Sequence, residues 1–278
     1  MKLMYITNNP EVAEIVQNSG VDRIFVDMEY IGKADRQGGM NTVQSRHTVA
    51  DVRKIRQHLP QAEIMVRCNP IHLATEEYCS SKEEIDSAID AGADILMLPY
   101  FKTAEEVRTF VDLVSGRAKT FPLLETPEAV ACIDEILAVD GIDEILIGLN
   151  DLSLGYGMKF MFQLLADGTV ESLCKKFKAK GIPYGFGGIA ALGKGMLPAE
   201  RIIAEHYRLG STCAILSRSF CNTSVITDLK EIENIFNDGL KEIRAFEKKC
   251  ENGEIDFADN QQKLKQAVNN IVANMENK

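Results

Sequence analysis

One repeated order of residues constrains this chain more than any other feature. A short apolar run leads into a loop, the loop into an amphipathic run, and that run into a glycine just before the next apolar run. The glycines stand in Ser19-Gly20-Val21-Asp22, Ala91-Gly92-Ala93-Asp94, Asp140-Gly141-Ile142-Asp143, Lys180-Gly181-Ile182-Pro183 and Leu209-Gly210-Ser211. Each reads as a left-handed helix C-cap and a short turn into a strand. The spacing predicts strands at 2–7, 23–29, 63–69, 95–100, 120–126, 144–150, 183–189 and 212–217. Helices are predicted at 10–18, 47–58, 82–91, 103–114, 127–139, 169–180, 198–209 and 225–250. Eight strand–helix units of class α/β are the count of a (β/α)8 TIM barrel. A doubly wound sheet competes, but no Gly-x-Gly-x-x-Gly follows the first strand, so a dinucleotide site is not indicated.

Two stretches exceed a minimal barrel. Residues 30–46 form a long polar loop after the second strand, of a length that often serves a site. The barrel domain is placed at 1–254, and 255–278 add a C-terminal helical extension that reads as a solvated tail or an oligomer contact. Composition removes several functional classes. A formal net charge of -10 argues against nucleic acid or an anionic membrane surface, since both need a basic face. The seven cysteines form no CxxC and no zinc-finger spacing, so they read as reduced thiols. No secretory signal and no apolar stretch of membrane length is seen, and the expected location is the cytoplasm.

In a barrel the site lies at the C-terminal ends of the strands. That rule selects Asp27 and Glu29, Arg67 and Asn69, Tyr100 and Lys102, Glu125 and Thr126, Asn150 and Asp151, Gly187 and Gly188, and Ser217 and Arg218. Glu125 closes Phe121-Pro-Leu-Leu-Glu-Thr126 and Asp151 lies in Glu144-Ile-Leu-Ile-Gly-Leu-Asn-Asp-Leu-Ser153. Two acids converging on one mouth suit a hard divalent cation such as Mg²⁺ or Mn²⁺. They also fit a structural pair bridged by an arginine. Arg67 is the one charged residue of Ile64-Met-Val-Arg-Cys-Asn69 and needs an anion, either a planar carboxylate ligand or a neighbour such as Asp27 or Glu29. Gly187 and Gly188 fit a phosphate-binding backbone or a tight turn. His47, which opens the second helix near the same mouth, is the leading histidine; His72 follows the third strand, and His58 and His206 read as structural or solvent-facing.

These strand ends resemble a known pattern. Phe25-Val-Asp-Met-Glu29, Val66-Arg-Cys-Asn69, Leu98-Pro99, Leu124-Glu-Thr-Pro-Glu-Ala129 and Ile147-Gly-Leu-Asn-Asp-Leu-Ser153 look like the HpcH/HpaI aldolase and citrate lyase family, of the phosphoenolpyruvate/pyruvate barrel superfamily. The resemblance runs from about residue 3 to 222. It implies a divalent ion (Mg²⁺, Mn²⁺ or Co²⁺) at Glu125 and Asp151, with Arg67 on the carboxylate of pyruvate or a related 2-keto acid. Gly148, Asn150, Gly187 and Gly188 are the further substrate contacts expected. The implied reaction is a class II aldolase cleavage or formation of a 4-hydroxy-2-keto acid, with an aldehyde as second partner and a metal-stabilised enolate between. It also implies a homo-oligomer, dimer-based and up to a hexamer, that exchanges its last barrel helix between protomers.

The chain departs from the pattern in two places. The acid/base histidine expected after Asp-x-Glu is Tyr30, whose ordinary pKa near 10 makes it a poor base. A glutamine expected two residues before the metal glutamate is Leu123. The proton shuttle is therefore assigned among water, Tyr30 and His47. The loop residues Lys33, Arg36 and Arg46 suggest a larger or more acidic substrate. Two rival readings stay open: a citrate-lyase-like enzyme on an acyl thioester, and a barrel that binds a keto acid without turnover.

Overall fold

Eight parallel strands close on one another in chain order, β1 beside β2 and so on until β8 returns to β1. The computed structural model describes residues 1–33 and 45–276. The strands are β1 (Lys2–Ile6), β2 (Arg23–Asp27), β3 (Ile64–Arg67), β4 (Ile95–Leu98), β5 (Lys119–Leu124), β6 (Ile145–Ile147), β7 (Tyr184–Ile189) and β8 (Cys213–Leu216). The outer helices are α1 (Pro10–Asn18), α2 (Val49–His58), α3 (Ser81–Asp90), α4 (Ala104–Val114), α5 (Pro127–Ala131), α6 (Ile133–Ile136), α7 (Leu149–Gly155), α8 (Gln163–Ala166), α9 (Thr169–Lys180), α10 (Ala199–Leu209), α11 (Leu229–Glu251) and α12 (Phe257–Glu276). The fold is the expected TIM barrel with C-terminal helices.

The local causes are visible in the sequence. Thr48, Ser80 and Thr103 each accept from the amide three residues on, while Asp51, Glu83 and Glu106 reach back to the cap. These capping boxes fix where α2, α3 and α4 begin. Two expectations change. The run 127–139 splits at Cys132, whose ψ of 27 leaves the helical region, into α5 and α6. The strand expected at 144–150 stops at Ile147, and residues 149–155 turn into α7. Asn150 and Asp151 therefore sit in a helical first turn rather than on a strand.

Side chains alternate across each strand. One set, with Ile24, Val26, Leu96 and Ile147, packs against the helices; the other, with Met4, Phe25, Met65, Met97, Phe121, Leu123 and Leu146, fills the barrel. The floor is polar. Arg23 is fully buried, donates to Glu144 through both terminal nitrogens, and donates to Glu63 through Nε at 2.6 Å. Each nitrogen of that guanidinium thus meets a carboxylate, the condition under which a buried charge is tolerated.

The C-terminal extension packs on the barrel of its own chain. Helix α12 packs on α8 and α10, burying Leu264 and Val268 completely or nearly so. Helix α11 lies against α1 and α10 of its own barrel. Among the described residues no helix is long and apolar enough to cross a membrane.

Candidate active site

The same alternation that fills the barrel also builds its mouth. On β2, Arg23, Phe25 and Asp27 share the inner face; on β3, Met65 and Arg67; along β5 and one step beyond, Phe121, Leu123 and Glu125. The inner stack thus changes from apolar to charged at the C-terminal ends. A cavity of about 600 Å³ opens there, lined by Asp27, Lys33, His47, Arg67, Glu125, Gly148, Asn150, Asp151, Gly187 and Gly188 among others. A depression of similar size lies at the opposite end. Its charges already pair with one another, Arg56 with Asp94 and Lys119 with Glu63, whereas the candidate strand-end residues gather in the first cavity.

Arg67 and Asp27 realise the salt-bridge reading of Arg67. Nε donates to Oδ1 at 2.8 Å and Nη2 to Oδ2 at 2.7 Å. Glu29 approaches the same Nε at 3.4 Å, and the buried Lys33 bridges both acids at 2.9 and 3.3 Å. Burial alone would raise the Asp27 carboxyl, but the charges and hydrogen bonds of Arg67 and Lys33 outweigh it and hold the group well below the usual carboxylate range. The Nη1 atom makes no hydrogen bond with any described residue. The ion pair therefore orients the guanidinium and still leaves one edge for an anion in the cavity.

Glu125 is the uncompensated acid of the site. Only Oε1 is engaged by a described residue, accepting the Tyr100 amide at 2.9 Å. Tyr100 holds φ at 49, a left-handed conformation rare for a side chain of its size, and its amide is the one that meets the carboxylate. Burial drives the Glu125 pKa well up, and the neighbouring Glu29 and Asp151 push it the same way against Arg67. Gly148 makes the room: a Cβ there would lie 2.8 Å from both Cβ and Oε2 of Glu125. No group of three or more His, Cys, Asp or Glu among the described residues is arranged to hold a metal. Two carboxylates remain, one of them buried and raised by its neighbours, and as hard oxygen donors they would fit a divalent cation.

His47 enters the cavity from the turn before α2, its Nδ1 3.0 Å from the Asp27 backbone nitrogen. Tyr30 does not. It is 56% exposed, its ring meets Tyr78 edge-on at 6.4 Å, and it is absent from the cavity wall. Its amide and that of Ile31 donate to Asn69 Oδ1, which makes Asn69 a clamp on the turn after β2 rather than a cavity residue. The structure thus does not bring Tyr30 together with the other candidate residues. The Asn150 side chain is exposed and donates to Asp151 Oδ1 at 3.1 Å. Gly187 and Gly188 line the cavity, but Gly187 is also demanded by the fold: its φ is 50, and a Cβ there would meet Leu149 at 2.7 Å. Lys102 points away and pairs with Glu128. Of the loop cations, Lys33 joins the site, whereas Arg36 lies outside the described residues. The reading of strand ends passed over Thr7, Asn8 and Asn9, which line the cavity beyond β1 and were available to the same rule.

The chain matches the HpcH/HpaI aldolase/citrate lyase family over residues 2–163. It is 26% identical over 176 residues to a hydroxypyruvate/pyruvate aldolase of Sagittula stellata, covering 53% of this chain and 61% of that protein. A 2-keto-3-deoxy-L-rhamnonate aldolase of Escherichia coli is 26% identical over 211 residues, covering 64% of this chain and 71% of that one. The matched stretch thus spans less than two thirds of the Sagittula relative. The crystal structure of an HpcH/HpaI aldolase from Desulfitobacterium hafniense superposes with a TM-score of 0.60 at 17% identity, covering 84% of this chain and 92% of that one, and speaks for the fold.

Proposed function

The chain belongs to the HpcH/HpaI aldolase/citrate lyase family, and from that premise we propose that it is a carbon–carbon lyase. The proposed reaction cleaves or forms a 4-hydroxy-2-keto acid from pyruvate, or a related 2-keto acid, and an aldehyde. The observation that carries this reading is Glu125: a buried acid with one described hydrogen bond, lining the same cavity as Asp151 and Arg67 and feeling the charge of both. Glu125 and Asp151 would hold a divalent cation, which when bound supplies Lewis-acid charge for the carboxylate and keto oxygens of the substrate.

The remaining work falls to the chain itself. Arg67, held by Asp27, receives the substrate carboxylate and contributes positive charge as the keto acid becomes an enolate. Lys33 offsets Asp27 and Glu29, so that the four acids of the mouth do not repel the anionic substrate. Gly148, the N-cap of α7, brings no side chain to the first turn, whose amides near Asn150 and Asp151 would help to hold the substrate carboxylate. The 4-hydroxyl proton leaves to water or to His47. Thr7, Asn8, Ser217 and Asn222 give the rest of the cavity a hydroxyl and amide wall that suits a hydroxylated aldehyde. We further propose a homo-oligomer working in the cytoplasm, on the resemblance alone.

The test is pyruvate release from a panel of 4-hydroxy-2-keto acids with Mg²⁺, Mn²⁺ or Co²⁺ and with chelator. Release that chelator abolishes, and that Asp151→Asn removes while the circular dichroism stays unchanged, is the expected result. Turnover that survives chelator, or an unaffected Asp151→Asn, would overturn the ligand assignment; no release from any member would turn the reading toward thioester substrates.

A further inference from the structure

We propose that His47 acts as a neutral hydrogen-bond donor, through Nε2–H, to the substrate oxygen bound beside Arg67, and does not act as the base. This rests on the aldolase reading for its substrate but on geometry for its chemistry. A backbone amide always carries its hydrogen. The Asp27 amide points that hydrogen at His47 Nδ1 across 3.0 Å, so Nδ1 must present a lone pair. A neutral imidazole has one proton, and here it can only reside on Nε2, on the other side of the ring.

A base needs a lone pair facing its proton source. Nε2 has none in this tautomer, and moving the proton to Nδ1 would set two N–H groups against each other. Protonating the whole ring has the same cost. The surroundings resist that charge as well. Burial lowers the His47 pKa, and Lys33 and Arg67 act in the same direction; Asp27 and Asp51 act against them. His47 also directly precedes Thr48, the cap of α2, and the positive end of a helix disfavours an imidazolium.

The position is held from both sides. The box between Thr48 and Asp51 fixes the turn into α2, with the Thr48 amide donating to Asp51 Oδ2 at 2.9 Å and Asn8 approaching the same carboxylate at 3.4 Å. The amide of the residue that orients Arg67 fixes the ring. One residue, Asp27, thus aims two donors at the cavity: Arg67 through its side chain and His47 through its backbone. A preorganised neutral donor stabilises charge growing on an oxygen without any proton changing hands. The 4-hydroxyl proton then leaves to water.

Histidine-selective ¹⁵N labelling reads the tautomer directly, with His47 assigned by its loss in His47→Gln. The expected spectrum shows Nε2–H and a bare Nδ1 at pH 7 and above, and a shifted Nε2–H resonance once Mg²⁺ and pyruvate are added. An Nδ1–H tautomer, a ring charged at pH 7, or no response to pyruvate would overturn the proposal. In turnover, His47→Gln keeps an N–H donor and should retain activity within about tenfold, while His47→Ala should lose about 100-fold in kcat. The acid limb of kcat/KM should persist in His47→Gln. Equal loss in both variants, with that limb abolished, would make His47 the base after all. Should no aldehyde be turned over, that failure falls on the aldolase reading, and the tautomer and its response to pyruvate still decide His47.

Discussion

Asp27 and Arg67 are register partners on β2 and β3, and their side chains meet in a two-pronged ion pair above the ring of Phe25. The pair does two things at once. It neutralises a carboxylate that is almost wholly buried, and it points the remaining edge of a planar cation at the cavity.

Lysine cannot reproduce that geometry, because one ammonium cannot bridge both oxygens of Asp27 and still present a flat donor edge. Arg67→Lys is expected to weaken pyruvate binding by at least about tenfold. Asp27→Asn is expected to cost about 3–5 kcal/mol of stability, since Arg67 and Lys33 would lose their shared buried anion. Isothermal titration with pyruvate and urea unfolding read the two effects separately. Unchanged affinity in Arg67→Lys would make the arginine structural.

Gly148 and Glu125 give a sharper probe of the cation. Gly148 sits at φ -81 and ψ 87, which alanine tolerates, so Gly148→Ala strains no backbone. Its methyl would instead press on Glu125 Cβ and Oε2 at 2.8 Å. Overpacking of about 1–3 kcal/mol should appear as a loss of about tenfold or more in Mn²⁺ affinity. Electron paramagnetic resonance of added Mn²⁺ measures it. Unaltered affinity would remove Glu125 from the ligand set.

The raised pKa of Glu125 carries a stability prediction with a definite sign. The folded chain holds this proton at pH values where the unfolded chain, with an ordinary glutamate, has released it. Folded protein then binds more protons than unfolded, so this group's contribution falls as pH rises above about 4.5. Asp27 has the opposite sign, and its contribution is lost only as pH drops through the ordinary carboxylate value and below. Cation-free Glu125→Gln should therefore melt above the parent at pH 8, with the gap narrowing toward pH 5. Added Mg²⁺ should raise the parent and leave the variant unmoved. A variant less stable than the parent at pH 8 would sink this account.

The barrel was legible because its signals are local. Glycine caps and apolar periodicity named all eight strands, and α1 and α9 were placed to the residue. Asp27, Arg67, Glu125 and Asp151, all selected by the rule about strand ends, do line one cavity. What stayed hidden depends on the third dimension. The sequence could not show that the Asp27 amide fixes the His47 ring, or that Tyr30 turns outward onto Tyr78. Lys33 looked like one of several loop cations until the fold folded it back on Glu29, four residues earlier. Helix α7 was missed because its apolar residues continue the run of β6, and only Gly148 marks the change.

The C-terminal helix offers a test far from the chemistry. Asn260 is buried, accepts from Arg201 Nη1 at 3.1 Å, and donates to the Arg201 carbonyl and to Glu205 at 3.1 Å each. Glu205 is fully buried and also accepts from Nε and Nη2 of Arg208. Leu264, one helical turn further on, has no exposed surface. A helix held in this way is part of the barrel wall, so its loss should be felt in global unfolding. Leu264→Ala is expected to cost about 2–5 kcal/mol in urea unfolding, the range for a buried leucine that leaves a cavity. Asn260→Ala should cost about 1–3 kcal/mol, because Glu205 and the Arg201 carbonyl would lose a donor in a dry site. Both variants should keep the parent's affinity for divalent cation. Changes within about 0.5 kcal/mol in both would return α12 to the status of a surface appendage.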